Sequence, residues 1–375
     1  MKNLNVDLLL KSIVLTLSIA TLSFFTLTSC SKNDMTGVAI SQDGYSMFDN
    51  TAYYIENFQI LKYVNANTGK TGVLCSKPNC KHELYDEKEN PNPICNAVAK
   101  EESSISSCII IDGMLYYSAE RANNLLIYEY DYKNDKCEKV AEVENLHPNN
   151  GVVYFNGNIY FNCFSYVFDE SNLDEGLGWR IDESVVCKYN IEDRNIESLF
   201  KDMDLYIQKI YPSNDQLYAC CLEPFSGEGI KQRSTYVYDG KKCRKISDIG
   251  YYYFDDNNAY INPMMPNAAS DTQISNKIMK YNFKTQVEEE LCTGRVSYSY
   301  SHYLIYSDDS GNQYRYDSNN EETEEIEFNN DYAVIYIDSN YVIYDDFIDE
   351  NSPKTYIVET EKFFNGNYEE ARLIE

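Results

Sequence analysis

The 375-residue chain carries 60 acidic against 32 basic residues, a formal charge of −28 at neutral pH. Such a surface repels phosphate backbones and offers no basic stripe, which excludes nucleic acid as a partner. Apolar residues make up 43% of the sequence, with 36 Tyr and 16 Phe, so a core can be buried and the chain is no disordered polyacid.

At the N-terminus, Lys2 and Lys11 precede the apolar run SIVLTLSIATLSFFTLTSC, residues 12–30. It is shorter than the ~20 apolar residues of a comfortable membrane span. Leu27-Thr28-Ser29-Cys30 resembles the bacterial lipobox, whose cysteine is diacylated and becomes the first mature residue. An ordinary signal peptide with a chance cysteine is the alternative. The expectation is a lipoprotein signal peptide over 1–29, lipidation at Cys30 and a hydrophilic tether over 30–36. Two acyl chains anchor stably where one is marginal. The protein would then sit outside the cytoplasm at the bacterial cell envelope, with the membrane as partner through its lipid.

From residue 37 onward a pattern repeats: one or two turn residues, an apolar residue, then aromatics. It occurs as DNTAYYIENF, DGMLYYSAE, NGNIYFNCF, NDQLYACCL, DNNAYINPM, SHYLIYSDD and DSNYVIYDD. Each copy is followed by a second strand-like stretch (ILKYVNANTG, IYEYDYKND and so on), and most by a third, such as CEKVAEV or VEEELC. Apolar and polar residues tend to alternate between turns, the period of a half-buried strand. Asp112-Gly113, Asn156-Gly157, Asp239-Gly240 and Ser310-Gly311 suit tight hairpins. Seven units of four short strands predict an all-β chain, a seven-bladed β-propeller over 37–375, at the usual ~40–50 residues per blade. Paired sandwiches or a solenoid would need two unrelated halves or a shorter spacing. GVAISQ, near residue 37, is expected to add the strand that latches the ring, and EEARLIE to close it with no second domain after it.

Between the first two units lies VLCSKPNCKHELYDEKENPNPICNA, residues 73–97, the core of an insertion over 75–100. Connections between blades are usually short, so these extra polar residues ask for a reason. Cys75, Cys80, His82 and Cys95 form a Cys3His set, a common structural zinc combination of soft thiolates and one imidazole. The spacing is not the compact double CxxC, and it is not CxxCH, which disfavours haem attachment. A disulfide between two of the cysteines, or unlinked thiols, are the competing readings. Cys30 aside, eleven cysteines remain, several inside apparent strands: Cys108, Cys163, Cys187, Cys220 and Cys292. Buried thiols of that kind behave as small core residues. With four protein ligands any metal is structural, since a catalytic site keeps an open position.

The lipobox, the LCxxPxCxH…C loop (Leu74, Cys75, Pro78, Cys80, His82, Cys95) and the Tyr-rich repeats together resemble a group of surface lipoproteins of gut-type Firmicutes. These are similar to the family with a domain of unknown function described as like the β-propeller of low-density lipoprotein receptor-related proteins. The resemblance implies a propeller and an envelope lipoprotein, and brings no activity with it. The calcium-linked YWTD signature of the receptors is absent, the single Trp being Trp179.

In a propeller, the second-to-third connections of each blade share a face with the connections between blades. Long ones are expected at 165–184, 223–234 and 263–276, on the same face as the Cys/His insertion. Trp179, Phe225, Met264 and Met265 would offer apolar contact there, and Arg180, Lys231 and Arg233 rare positive charge. Loops clustered on a rigid scaffold are the usual place for recognition. The expected ligand residues are therefore Trp179, Arg180, Phe225, Met264 and Met265, and the expected partner a surface protein or glycan. No G-x-S-x-G elbow accompanies His82, His147 or His302, and the last two read as structural, His147 in a turn. SDDSGNQY (307–314) mimics an Asp-box and reads as a hairpin turn. The reading is a non-enzymatic binding module; a glycosidase-like propeller or a purely structural lipoprotein are the alternatives.

Overall fold

The computed structural model describes residues 39–100, 103–168, 179–223, 232–263, 274–327, 329, 332–347 and 353–374. Seven antiparallel sheets follow one another around a ring, each built from four strands consecutive in sequence, with one further strand joining the third. A short strand β1 (Ala39–Ser41) comes first. Blade 1 is β2 (Ser46–Phe48), β3 (Thr51–Glu56), β4 (Ile60–Asn65) and β5 (Thr71–Val73). Blade 2 is β6 (Ser104–Ile111), β7 (Met114–Arg121), β8 (Asn124–Asp131) and β9 (Lys136–Val143). Blade 3 is β10 (His147–Phe155), β11 (Asn158–Phe168), β12 (Trp179–Asn190) and β13 (Ile196–Leu199). Blade 4 is β14 (Tyr206–Ser213), β15 (Gln216–Glu223), β16 (Gln232–Tyr238) and β17 (Cys243–Ser247).

Blade 5 is β18 (Tyr253–Phe254), β19 (Asn258–Ile261), β20 (Lys277–Asn282) and β21 (Glu288–Thr293). Blade 6 is β22 (Arg295–Tyr300), β23 (Tyr303–Ser307), β24 (Gln313–Asp317) and β25 (Glu322–Ile326). Blade 7 is β26 (Tyr332–Ile337), β27 (Tyr341–Asp346), β28 (Lys354–Glu359) and β29 (Arg372–Leu373), with the one-turn helix α1 (Thr360–Phe364) before β29.

The repeated aromatic motif is in every blade the second strand, and the two following patterns are the third and fourth. The reason is burial. Second strands are packed on both faces, as in β7, where Leu115 to Ala119 are all buried. Fourth strands lie at the rim and so carry the charges: β25 is mostly exposed, and β9 has no fully buried residue. First strands of successive blades approach one another around the axis, as β6 does with β2 and β10. The first-to-second hairpins turn on residues of positive φ: Asp49 and Asn50, Asp112 and Gly113, Asn156 and Gly157, Asn214 and Asp215. That geometry matches the strand twist.

Each seam between neighbouring blades is a separate apolar cluster, and the last joins blade 7 back to blade 1 through Ala52, Tyr54, Val64, Tyr336, Ile343 and Ile357. Among the described residues no strand crosses that seam. Tyr341 Oη reaches Asn50 and Asn67 at 3.0 and 3.1 Å, and the Gln42 amide exchanges two 3.3 Å hydrogen bonds with the Ile337 backbone. The expected latch is therefore corrected. β1 pairs with β10, the innermost strand of blade 3, and touches β2 and β6. The reason is that β29 already supplies blade 7 with its fourth strand, leaving only inner edges for β1 to join.

The expected loop over 165–184 is also corrected: β11 runs to Phe168 and β12 starts at Trp179, so its ends are strand. His147 lies not in a turn but at the start of β10, buried, its ring on Phe164 and Tyr166 and Nδ1 2.9 Å from Glu120 Oε1. Cys108, Cys163, Cys187 and Cys220 are buried in strands, and Cys292 is half-buried. SDDSGNQY does form the β23–β24 hairpin, where Asp308 accepts backbone N–H bonds from Ser310 and Asn312. Among the described residues no helix is long and apolar enough to cross a membrane.

A half-buried lysine arises from this architecture. Lys209 on β14 lies with its ammonium 4.8 Å above the Tyr252 ring, within the field of Asp43. Burial pushes its pKa down from 10.5 to about 8, only partly opposed by Cys220 and Asp43. Below pH 8 Lys209 is charged both folded and unfolded, so the fold bears the full desolvation cost; above 10.5 it is neutral in both. Lys209→Met is thus expected to be more stable than wild type at pH 7, by up to about 3 kcal/mol, with the gain vanishing between pH 8 and 10.5. Parallel urea titrations of both proteins across that range check it; a pH-independent difference would refute the assignment.

Candidate metal centre

Strands alternate direction within a blade, which divides the connections between two ends of the ring. One end, the hairpin face, carries the first-to-second and third-to-fourth turns. The other, the loop face, carries the second-to-third connections and those between blades. The Cys/His insertion joins β5 to β6 and so belongs to the loop face.

The insertion is tied down at both ends. Leu74 donates its N–H to Leu61 at 2.9 Å, and its carbonyl accepts a 2.6 Å bond from buried Tyr130 Oη. At the far end Leu61 donates to Ala97 and Ala99 to Gln59, continuing the ladder of blade 1 where β5 stops. Ala97, Val98 and Ala99 are buried in the seam between blades 1 and 2. Between these ties the chain doubles back through Asn79 and His82, both with positive φ.

This brings the four predicted ligands together. The donor atoms of Cys75, Cys80, His82 and Cys95 all lie within 4.8 Å of one another, and His82 Nδ1 is 3.3 Å from Cys95 Sγ. Zn–S bonds near 2.3 Å in a tetrahedron place the donors about 3.8 Å apart. The group is therefore one small contraction from a complete coordination sphere and could hold a metal ion. Cys95 is buried and the other three half-buried.

Each thiol also accepts the backbone N–H two residues on, from Lys77, His82 and Ala97 respectively. Such donors stabilise a thiolate. At Cys95 burial outweighs them and pushes the thiol up to about 12. At Cys80 burial also opposes ionisation, but the His82 N–H, the neighbouring thiols and Lys77 outweigh it and the pKa is lowered.

Two lysines that carry no signal of their own in the sequence brace the loop. Lys100 Nζ donates to the carbonyls of Pro93 and Cys95 at 2.8 and 2.6 Å. Lys77 Nζ donates to Ile94 O and pairs with Asp135 at 2.9 Å. Tyr130 and Asp135 come from blade 2, about sixty residues downstream, so no local pattern marks them. The eleven cysteines among the described residues are unbridged.

The expected ligand residues fare differently. Trp179 and Arg180 open β12, opposite Phe168 and Val167, on the loop face. Phe225, Met264 and Met265, and Cys30, the expected lipidation site, lie outside the described residues. Sequence reasoning missed exposed apolar residues on this face: Phe58 is 62% and Ile94 79% exposed, joined by Leu84, Tyr166, Ile274 and Phe347. Phe58 also holds a positive φ at its hairpin tip, a conformation uncommon for a bulky residue.

No protein-family model and no curated protein matches this chain. Many solved structures share its fold. An acylaminoacyl peptidase from Pyrococcus horikoshii is 12% identical, with a TM-score of 0.50 over 91% of this chain and 53% of its own. Another, bound to a peptide chloromethyl ketone, is 13% identical, with a TM-score of 0.53 over 89% and 52%. This chain thus spans about half the length of those peptidases. The propeller of the Pyrococcus furiosus Trilobed protease is 10% identical, with a TM-score of 0.48 over 85% and 93%. At such identities the likeness shows the propeller fold alone.

Proposed function

We propose that this protein is an envelope-anchored propeller that binds a ligand on its loop face without catalysing a reaction, and that the Cys/His loop forming part of that face holds structural zinc. The observation that carries the reading is that Phe58, Leu84, Ile94, Tyr166, Ile274 and Phe347 are all exposed at that end of the ring; among the described residues the other exposed large apolar ones, Phe48, Val287 and Leu373, lie elsewhere. Exposed apolar side chains concentrated in the loops at one end of a rigid scaffold favour that end for recognition. Four protein donors leave a metal no open position, which favours a staple over a reaction centre.

The test is binding of the wild-type chain and a Phe58→Ser/Ile94→Ser/Tyr166→Ser variant to immobilised cell-wall glycans and to envelope proteins. Retention of at least one wild-type partner is expected to fall about tenfold or more in the variant. Equal retention of every partner would overturn the reading.

A further inference from the structure

A pocket of about 300 Å³ opens on the loop face between blades 4, 5 and 6, lined by Arg233, Tyr252, Tyr253, Asn262 and Arg295 with apolar contributions from Ile261, Ile274 and Val296. We propose that this pocket binds a small organic carboxylate with a ring or apolar body, its carboxylate held between the Arg233 and Arg295 guanidinium groups. The assignment rests on the loop face being the recognition face and names what it recognises.

Charge is the first reason. In a chain of net charge −28, arginines such as Arg194 and Arg315 are taken up by neighbouring glutamates. Arg233 and Arg295 form no ion pair among the described residues, although both line one pocket. Arg233 Nε is buried and finds no hydrogen-bond partner. A buried, unpaired guanidinium N–H is costly, and an incoming carboxylate would satisfy it with charge-assisted, bidentate geometry.

The second reason is that the backbone carrying both arginines is held in place beforehand. The backbone at Gly250 is laid directly against Arg233: a Cβ there would lie 2.4 Å from Arg233 Cβ, so only glycine permits the contact. The same segment carries Tyr252 and Tyr253, whose rings meet edge to face at 5.5 Å. Around Arg295 the Asn262 side chain donates to Gly294 O at 2.7 Å and accepts from Val296 N at 2.8 Å, clamping the backbone on either side. Gly294 has a φ of 150° and its Cβ would lie 2.5 Å from Ser307 O, which again excludes any side chain. A site whose backbone is fixed before binding loses less entropy when the ligand arrives.

The third reason separates carboxylate from phosphate. The field of so acidic a protein penalises each further negative charge, so a monoanion is favoured over a dianion. Tyrosine rings and aliphatic walls suit a body that is a ring or apolar.

The experiment is calorimetric titration of the full-length protein with phenylacetate and glucuronate, with phenylacetamide and glucose as neutral matches and inorganic phosphate as the competing anion. Arg295→Gln and Arg233→Gln are titrated alongside, and their thermal unfolding is compared with wild type. At least one carboxylate is expected to bind with its neutral match inactive, and to bind roughly tenfold or more weakly to either variant, the exposed Arg295 leaving stability unchanged. No binding of either carboxylate at millimolar concentration, equal binding by Arg295→Gln, or tighter binding of phosphate would each overturn the assignment. Partner capture by Arg295→Gln and carboxylate titration of the Phe58/Ile94/Tyr166 variant separate this failure from failure of the loop-face reading.

Discussion

Protein purified anaerobically without a metal-affinity tag is expected to contain about one zinc per chain, and Cys80→Ala to contain none. Cys80 is the informative position because it is half-buried, so its removal takes away a ligand with little loss of packing. Cys95, buried against the seam between blades 1 and 2, would confound the two effects. Structural zinc sites contribute on the order of 10 kcal/mol of apparent binding free energy at neutral pH, most of it realised as folding of the segment that binds. Here the segment is local: the metal's ligands reach only the seam between blades 1 and 2, and the other seams that close the ring contain none of them. Loss of zinc is therefore expected to expose residues 83–93 to proteolysis while the blades stay folded. Plasma mass spectrometry for metal, and limited proteolysis followed by intact-mass analysis, read the two consequences separately. Wild type that is free of metal and carries a Cys75–Cys80 or Cys80–Cys95 bridge would replace the zinc staple with a disulfide clasp.

Replacing Ile343 by Ala at the seam between blades 7 and 1 is expected to cost about 2–5 kcal/mol and to open the ring there. Ile343 is fully buried on β27, and its seam is the one place where neighbouring blades are not consecutive in sequence. Ile305, equally buried on β23 in the seam between blades 6 and 7, is the matched control. Its blades remain joined by the chain between β25 and β26, so a cavity there weakens the ring without giving it an end to part from. Hydrogen exchange is expected to show protection lost selectively in blades 1 and 7 for Ile343→Ala, and spread around the ring for Ile305→Ala. Identical exchange patterns would mean that the Gln42 and Tyr341 hydrogen bonds hold the closure without this apolar contact.

The repeats were legible in the sequence because each blade meets the same local demand. A second strand packed on both faces must be apolar and aromatic, a fourth strand at the rim must be charged, and a tight hairpin needs residues that accept positive φ. Cys75, Cys80, His82 and Cys95 were legible for a related reason, since soft ligands within one short segment need only a turn to meet. The place of β1 was not legible: three residues carry no record of which open edge they will find, and that depended on β29 having filled the last blade. Nor were Tyr130, Lys100 and Asp135 around the loop, or the meeting of Arg233 with Arg295 from blades 4 and 6. Those contacts arise from the angle at which one blade packs on the next. Local strand and turn preferences determined the blades from the sequence alone; only the closed ring decided which side chains of different blades would share a site.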